Sequence, residues 1–153
     1  MTGNTSKRQT VTRKVPVPTE RLFAVLVDPT RHPEIDGSGM VLGAATTEQL
    51  GKVGDIFTMD MHQDDFGDYQ ADNHIVELEP GQKIAWATAG AGQDPIGHVW
   101  TWEFTTEGES TIVTHSYDWS GVTDEGLLAV LNFPRVSADQ MAETIDKLAA
   151  AAT

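Results

Sequence analysis

The stretch from His98 to Trp119, HVWTWEFTTEGESTIVTHSYDW, limits what this chain can fold into more than any other. It holds three of the four tryptophans and two of the five histidines. Side chains alternate faces along a strand, so His98, Trp100, Trp102 and Phe104 share one face of a first strand. Thr111, Val113, His115, Tyr117 and Trp119 share one face of a second. Between them, Thr106-Glu107-Gly108-Glu109 is a turn signal built on glycine. With Glu107-Gly108 as a two-residue turn, Thr106 pairs Glu109, Trp102 pairs Val113, Trp100 pairs His115 and His98 pairs Tyr117. A four-residue loop gives the same pairing. A three-residue loop sets the aromatics opposite Ile112, Thr114, Ser116 and Asp118 and splits the bulky groups between faces. The first register is preferred because it gathers them on one face. Such a face either packs a core or lines a pocket that orients an apolar ligand.

The rest of the chain supplies a sheet and its cover. Gln9–Val17 reads as a strand, which Pro16 and Pro18 end. Thr19 starts a short helix with Leu22, Phe23, Val25 and Leu26 on its apolar side. Asp28-Pro29 opens a second, with Asp as N-cap and Pro in the first turn. Gly37-Ser38-Gly39 breaks it. Strands are expected at 40–48, 55–62, 69–79 and 83–88. Phe57, Met59 and Met61 share one face, and so do Ile84, Trp86 and Thr88. Residues 63–68 read as an acidic loop and 89–97 as a mobile one. Leu127, Leu128, Val130 and Leu131 suggest a helical turn or a loop, interrupted by Pro134. Ser137 and Gln140 form a capping-box signature. The helix behind it buries Ala138, Met141, Ile145, Leu148, Ala149 and Ala152 at helical spacing. Hairpin-length connections make the sheet antiparallel, and this last helix is the one long element available to cover it. The expectation is an α+β domain over residues 9–153, with a disordered tail at 1–8.

With 153 residues the chain can bury a sizeable core. Zero cysteines exclude disulfides and thiol chemistry and fit a cytoplasmic protein. A formal net charge of -13 excludes nucleic acid and anionic membrane surfaces as partners. No apolar run approaches the roughly 20 residues of a membrane span.

The element order, together with VPVPTERLFAVLVDPTRHPEID at 15–36, ELEPGQKIAW at 77–86 and STIVTHSYDW at 110–119, resembles the helix-grip fold of the START-like (SRPBCC) superfamily. The first segment is similar to bacterial members labelled polyketide cyclase/dehydrase-like. The superfamily also includes birch-pollen-allergen-like proteins and Hsp90-activator-like domains. The resemblance covers residues 11–150 and implies a curved sheet of six or seven strands on a long C-terminal helix. It also implies a cavity between them for an apolar, lipid-like or aromatic ligand. It carries over no catalytic motif, because the fold hosts carriers, enzymes and protein-binding modules.

Three functions therefore stay open. The leading one is binding of a hydrophobic small molecule by a monomer or homodimer. Trp86, Trp100, Trp102 and Trp119 would stack on it. Phe57, Met59, Met61, Met141 and Ile145 would form an adaptable wall. The second is a cofactor-independent cyclase or dehydratase, with His115 and His98 as acid/base pair and Tyr117 orienting a carbonyl oxygen. The third is a protein-interaction module whose cavity is vestigial. A carboxylate such as Asp118 or Glu103 against either histidine would favour the enzyme. A filled inward space would favour the interaction module. No metal is expected: H-x-H, H-E-x-x-H and Cys/His spacings are missing, and Asp60, His62, Asp64, Asp65 and Asp68 lack a calcium-loop pattern. His32 would reach the cavity mouth or cap a helix.

Overall fold

A computed structural model describes residues 7–64, 67–126 and 136–153. Seven strands form one antiparallel sheet: β1 (Arg8–Val15), β2 (Val41–Ala44), β3 (Ile56–Gln63), β4 (Gly67–Glu79), β5 (Lys83–Gly90), β6 (Val99–Glu107) and β7 (Ser110–Asp118). Their order across the sheet is β1-β7-β6-β5-β4-β3-β2. Every connection from β2 to β7 joins neighbours. The link from β1 to β2 runs instead from one edge of the sheet to the other, so it must pass beneath a face. It carries α1 (Thr19–Leu26), a 3₁₀ turn (Pro29–Arg31) and α2 (His32–Ile35). The C-terminal helix α3 (Ala138–Ala151) packs on β1, β7, α1 and α2. This is the α+β helix-grip arrangement.

Local chemistry fixes these elements. Asp28 Oδ1 accepts from the Thr30 amide at 3.1 Å and so caps the 3₁₀ turn, with Pro29 in its first positions. Ser137 Oγ accepts from the Gln140 amide at 3.1 Å, and Gln140 Oε1 accepts from the Ser137 amide at 2.9 Å, closing the capping box of α3. Met141, Ile145 and Leu148 are fully buried along one stripe of that helix. Register shifts at Ile75/Glu77 in β4 and Val41/Gly43 in β2 mark bulges, which bend strands and help curve the sheet.

The hairpin register differs from expectation by one pairing step. Trp102 faces His115, Trp100 faces Tyr117, Phe104 faces Val113 and Glu107 faces Ser110. The bulky groups still share a face, because the parity is the same. The turn residues are Gly108-Glu109 rather than Glu107-Gly108. Gly108 has φ +65°, and a two-residue hairpin turn accepts glycine in its first central position.

Other boundaries move as well. Lys7 and Arg8, expected in the tail, join the sheet: Arg8 pairs Asp118, and the Trp119 amide donates to the Lys7 carbonyl at 2.9 Å. The second strand is four residues long, not nine, and beyond Ala44 the chain turns onto Thr58. Gln63, Gly67 and Asp68, expected in an acidic loop, belong to strands, where Gln63 pairs Gly67 and His62 pairs Asp68. Ala89 and Gly90 extend β5, and the segment after them is tied down. Asp72 Oδ2 accepts from the Gly92 amide at 2.8 Å, and the Gln70 carbonyl accepts from Ala91 at 3.2 Å. Ala138 is exposed, since the first turn of α3 extends beyond the core it caps. The readings placed on residues 1–6, Asp65, Leu127, Leu128, Val130, Leu131 and Pro134 lie outside the described residues.

The link between α2 and β2 is held against α3. The Gly37 amide donates to Thr144 Oγ1 at 2.9 Å, and Lys147 Nζ donates to the Asp36 carbonyl at 3.1 Å. A Cβ at Gly37 would stand 2.5 Å from the Gln140 carbonyl oxygen, in helix backbone that cannot yield. Gly37→Ala is therefore expected to lower stability in urea denaturation by about 1–3 kcal/mol, as overpacking does. Gly51→Ala, where a Cβ would meet nothing within 4 Å, should change it by less than about 0.5 kcal/mol.

Candidate functional site

The concave face of β3–β7 and the helices do not close completely on each other. Between them lies a cavity of about 160 Å³. Its walls follow the inward parity of each strand: Phe57, Met59 and Met61 from β3; Tyr69, Ala71 and Asn73 from β4; Trp86 and Thr88 from β5; Trp100 and Trp102 from β6; His115 and Tyr117 from β7. His98 enters from just before β6, and His32 and Ile35 from α2. Asp36, Ser38, Met40, Val41, Gln63, Val136 and Thr144 complete the lining among the described residues.

A stack of rings forms one wall. His115 lies 3.7 Å from Trp102, centroid to centroid, at 18°, and 5.5 Å from Trp100 at 19°. Trp100 in turn stacks on Tyr117 at 4.0 Å and 14°. The cross-strand pairs Trp102–His115 and Trp100–Tyr117 produce this order directly. A second cluster forms on the other side, where His32 meets Phe57 edge-on at 5.0 Å and Trp86 at 5.4 Å.

Burial sets the charge state of the cavity. His115 is pushed down to about 3, because desolvation of the imidazolium outweighs its hydrogen bond to the Thr101 backbone. His98 is pushed down to about 4 by desolvation, against the effect of a Thr88 backbone hydrogen bond. His32 is lowered as well, by burial against its bond to Leu26 and the nearby Asp28 and Asp36. All three are neutral imidazoles near pH 7. A neutral ring has one donor and one acceptor nitrogen, and partners decide which is which. His115 Nδ1 lies 3.1 Å from the Thr101 carbonyl, so it donates and Nε2 is the acceptor. His32 Nε2 donates to the Leu26 carbonyl at 2.7 Å, which caps the end of α1. His98 Nδ1 lies 2.7 Å from the Tyr117 hydroxyl; with the ring donating to Thr88, Nδ1 accepts the phenolic proton.

Other polar groups at the wall are engaged with each other. Thr88 Oγ1 donates to Asn73 Oδ1 at 2.7 Å, and Gln63 Nε2 donates to the Tyr69 hydroxyl. Asp36 accepts from the Ser38 amide and hydroxyl and the Val41 amide, at 3.0, 2.6 and 3.0 Å.

The structure brings together nine residues singled out from the sequence: Phe57, Met59, Met61, Trp86, Trp100, Trp102, His98, His115 and Tyr117. Trp119, Met141 and Ile145 are buried in the core and do not line the cavity. Asp118 turns outward to Arg8 at 3.7 Å, and Glu103 is exposed opposite Thr114 on the outer face. Tyr69 and Asn73 were overlooked, although the alternation Tyr69, Ala71, Asn73, Ile75 carried the signal. His62 stands outside, with Nδ1 2.8 Å from Asp68 and Nε2 3.3 Å from Asp64, and these carboxylates raise its pKa. Among the described residues, no group of three or more such side chains is arranged to hold a metal.

The profile described as "Activator of Hsp90 ATPase homolog 1-like protein" matches residues 16–153. An uncharacterized protein of Mycobacterium tuberculosis is 33% identical over 141 residues, which cover 88% of this chain and 59% of that one. The chain thus spans less than two thirds of that relative's length. Among solved structures, protein Ms6760 from Mycobacterium smegmatis superposes with a TM-score of 0.67 at 18% identity, covering 95% of this chain and 90% of that one. The di-domain ARO/CYC StfQ from the steffimycin biosynthetic pathway gives 0.69 at 16%, covering 95% and 50%. Ginseng major latex-like protein 151 from Panax ginseng gives 0.62 at 16%, covering 94% and 95%. At these identities the structural likeness is one of fold. No helix among the described residues is long and apolar enough to cross a membrane.

The buried histidines predict a pH dependence. Unfolded, each takes up a proton near 6.5; folded, His115 and His98 do so only near 3 and 4. Below pH 6.5 the unfolded state holds more protons, so stability falls as pH falls. The slope is at most about 1.4 kcal/mol per pH unit for each buried histidine. Urea denaturation between pH 7 and 5 is expected to show this loss above the carboxylate range. His115→Phe should reduce the slope by about one proton's worth. Surface His62, with its raised pKa, acts in the opposite sense.

Proposed function

We propose that this chain, which belongs to the Activator of Hsp90 ATPase homolog 1-like family and so to the START-like (SRPBCC) superfamily, binds a hydrophobic or aromatic small molecule. The observation that carries this reading is the cavity of about 160 Å³ bounded by Trp86, Trp100 and Trp102 on one sheet face and by α2 on the other side. Packed interiors leave few voids larger than a water, so a space this size inside a ring-lined wall is a binding-site feature. Met40, Met59 and Met61 give that wall some adaptability. The chain would act as a carrier or sensor in the cytoplasm.

A cyclase or dehydratase activity ranks second. The Tyr117–His98 hydrogen bond of 2.7 Å is the feature that favours it, and StfQ is a neighbour in fold. General bases work best with a pKa near the operating pH. His115 and His98, pushed down to about 3 and 4, are weak proton acceptors, so the site favours holding a ligand over moving its protons. An interaction module with a vestigial cavity ranks third, because the described residues leave part of the inward space unfilled.

Tryptophan fluorescence tests the leading reading, since Trp86, Trp100 and Trp102 all line the cavity. Titration with aromatic and lipid-like compounds should give saturable quenching by at least one class, and Trp100→Ala should weaken that ligand by at least about tenfold. No quenching by any compound, together with an empty protein in native mass spectrometry, would overturn the proposal.

A further inference from the structure

We infer that the ligand places a single aromatic ring bearing an O–H or N–H donor in the cavity, a phenol being the simplest case, and that His115 Nε2 accepts that hydrogen bond. The inference rests on the ligand-binding reading above and narrows it to a chemical class.

Size comes first. A cavity of about 160 Å³ is close to the roughly 150 Å³ engineered cavity that takes one benzene. A fused polycycle or a long acyl chain would have to project out of the cavity's open side or displace the walls. The walls then select shape. The indoles of Trp102 and Trp100 lie within 18° and 19° of the imidazole plane, and Tyr117 lies within 14° of Trp100. These rings cover one another's faces and together give the cavity a continuous aromatic wall, which suits an aromatic guest.

Hydrogen-bond complementarity then selects chemistry. Thr88 with Asn73, Gln63 with Tyr69, Ser38 with Asp36 and Tyr117 with His98 are already partnered. His115 differs. Its Nδ1 proton is committed to the Thr101 carbonyl at 3.1 Å, so Nε2 presents a bare lone pair. The side chain is 97% buried, with 3% exposed, and it lines the cavity. Among the described residues no donor is bonded to Nε2, and it is not sealed from the cavity as His74 Nε2 is sealed in the protein. A buried acceptor without a donor is costly, and a guest that donates removes that cost. An ether, a ketone or an ionised carboxylate would set acceptor against acceptor. The ring cannot adapt by protonating near pH 7, because burial holds it neutral. A site built to hydrogen-bond a guest discriminates strongly against the analogue that lacks the donor.

A matched series tests this: para-cresol, its methyl ether, and para-toluate, with naphthol and a long-chain fatty acid as size probes. Affinities are read by calorimetry and tryptophan quenching at pH 7.5. We expect para-cresol to bind at least about tenfold more tightly than its ether and than para-toluate. The larger probes should bind more weakly. In His115→Phe the cresol-to-ether ratio should fall to within about twofold while the ether still binds. The wild-type ratio decides the matter even if that variant fails to fold. Equal or tighter binding of the ether or the toluate would overturn the donor assignment while leaving ligand binding intact. Tight binding of only the naphthol or the fatty acid would overturn the single-ring assignment. Failure of every probe, with an empty native mass spectrum, would instead overturn the ligand-binding reading itself.

Discussion

The stack of Trp102, His115, Trp100 and Tyr117 is the contact on which the rest of the structure depends. Its members come from two neighbouring strands and meet because one turn places Trp102 opposite His115 and Trp100 opposite Tyr117. Packing buries Trp102, His115 and Tyr117 almost completely. The two central rings, His115 and Trp100, each have a cross-strand partner on one side and a parallel neighbour on the other. The same burial denies the imidazole its charge. The hydrogen bond to the Thr101 backbone favours protonation, yet desolvation outweighs it and the ring stays neutral.

Topology explains why this wall faces a space. The link from β1 to β2 must pass beneath the concave face, and it carries two short helices that reach only part of that face. The long helix α3 lies chiefly along β1 and the helices, where Met141, Ile145 and Leu148 are sealed. The strands farther from β1 are left facing α2 and the link between Asp36 and Val41. That link is drawn to α3 through Gly37, whose missing side chain lets the backbone approach Gln140 and Thr144. The cavity is thus what remains when a short cover and a long helix share one curved sheet.

Much of this was legible in the sequence, for physical reasons that differ by element. Alternation fixed the inward face, since a strand has period two and Phe57, Met59 and Met61 admit one burial pattern. The capping box of α3 and the Asp28-Pro29 start were legible because caps are local chemistry. The hairpin register was not, because parity is satisfied by two registers that differ by one pairing step. The registers are separated by Glu107, which a Glu107-Gly108 turn would force to positive φ, whereas Gly108-Glu109 needs that only of the glycine. The segment after β5 looked mobile because the carboxylate that holds it, Asp72, lies 20 residues earlier in the chain. His32 was ambiguous for a related reason. Its position depends on a helix-end carbonyl and on two rings, Phe57 and Trp86, from distant strands. Trp119, Met141 and Ile145 show a further limit: periodicity finds the inward face but does not tell packed positions on it from cavity-lining ones.

The central claim is that burial holds the cavity's histidines neutral, with His115 oriented as an acceptor toward the open space. Long-range ¹H–¹⁵N correlation spectra of the imidazole nitrogens, recorded from pH 8 to 5, test it most directly. The account predicts that His115 stays neutral throughout, with Nδ1 protonated and Nε2 bare, while exposed His62 is protonated above pH 6.5. A His115 ring that titrates near 6.5, or one that carries its proton on Nε2, would contradict it.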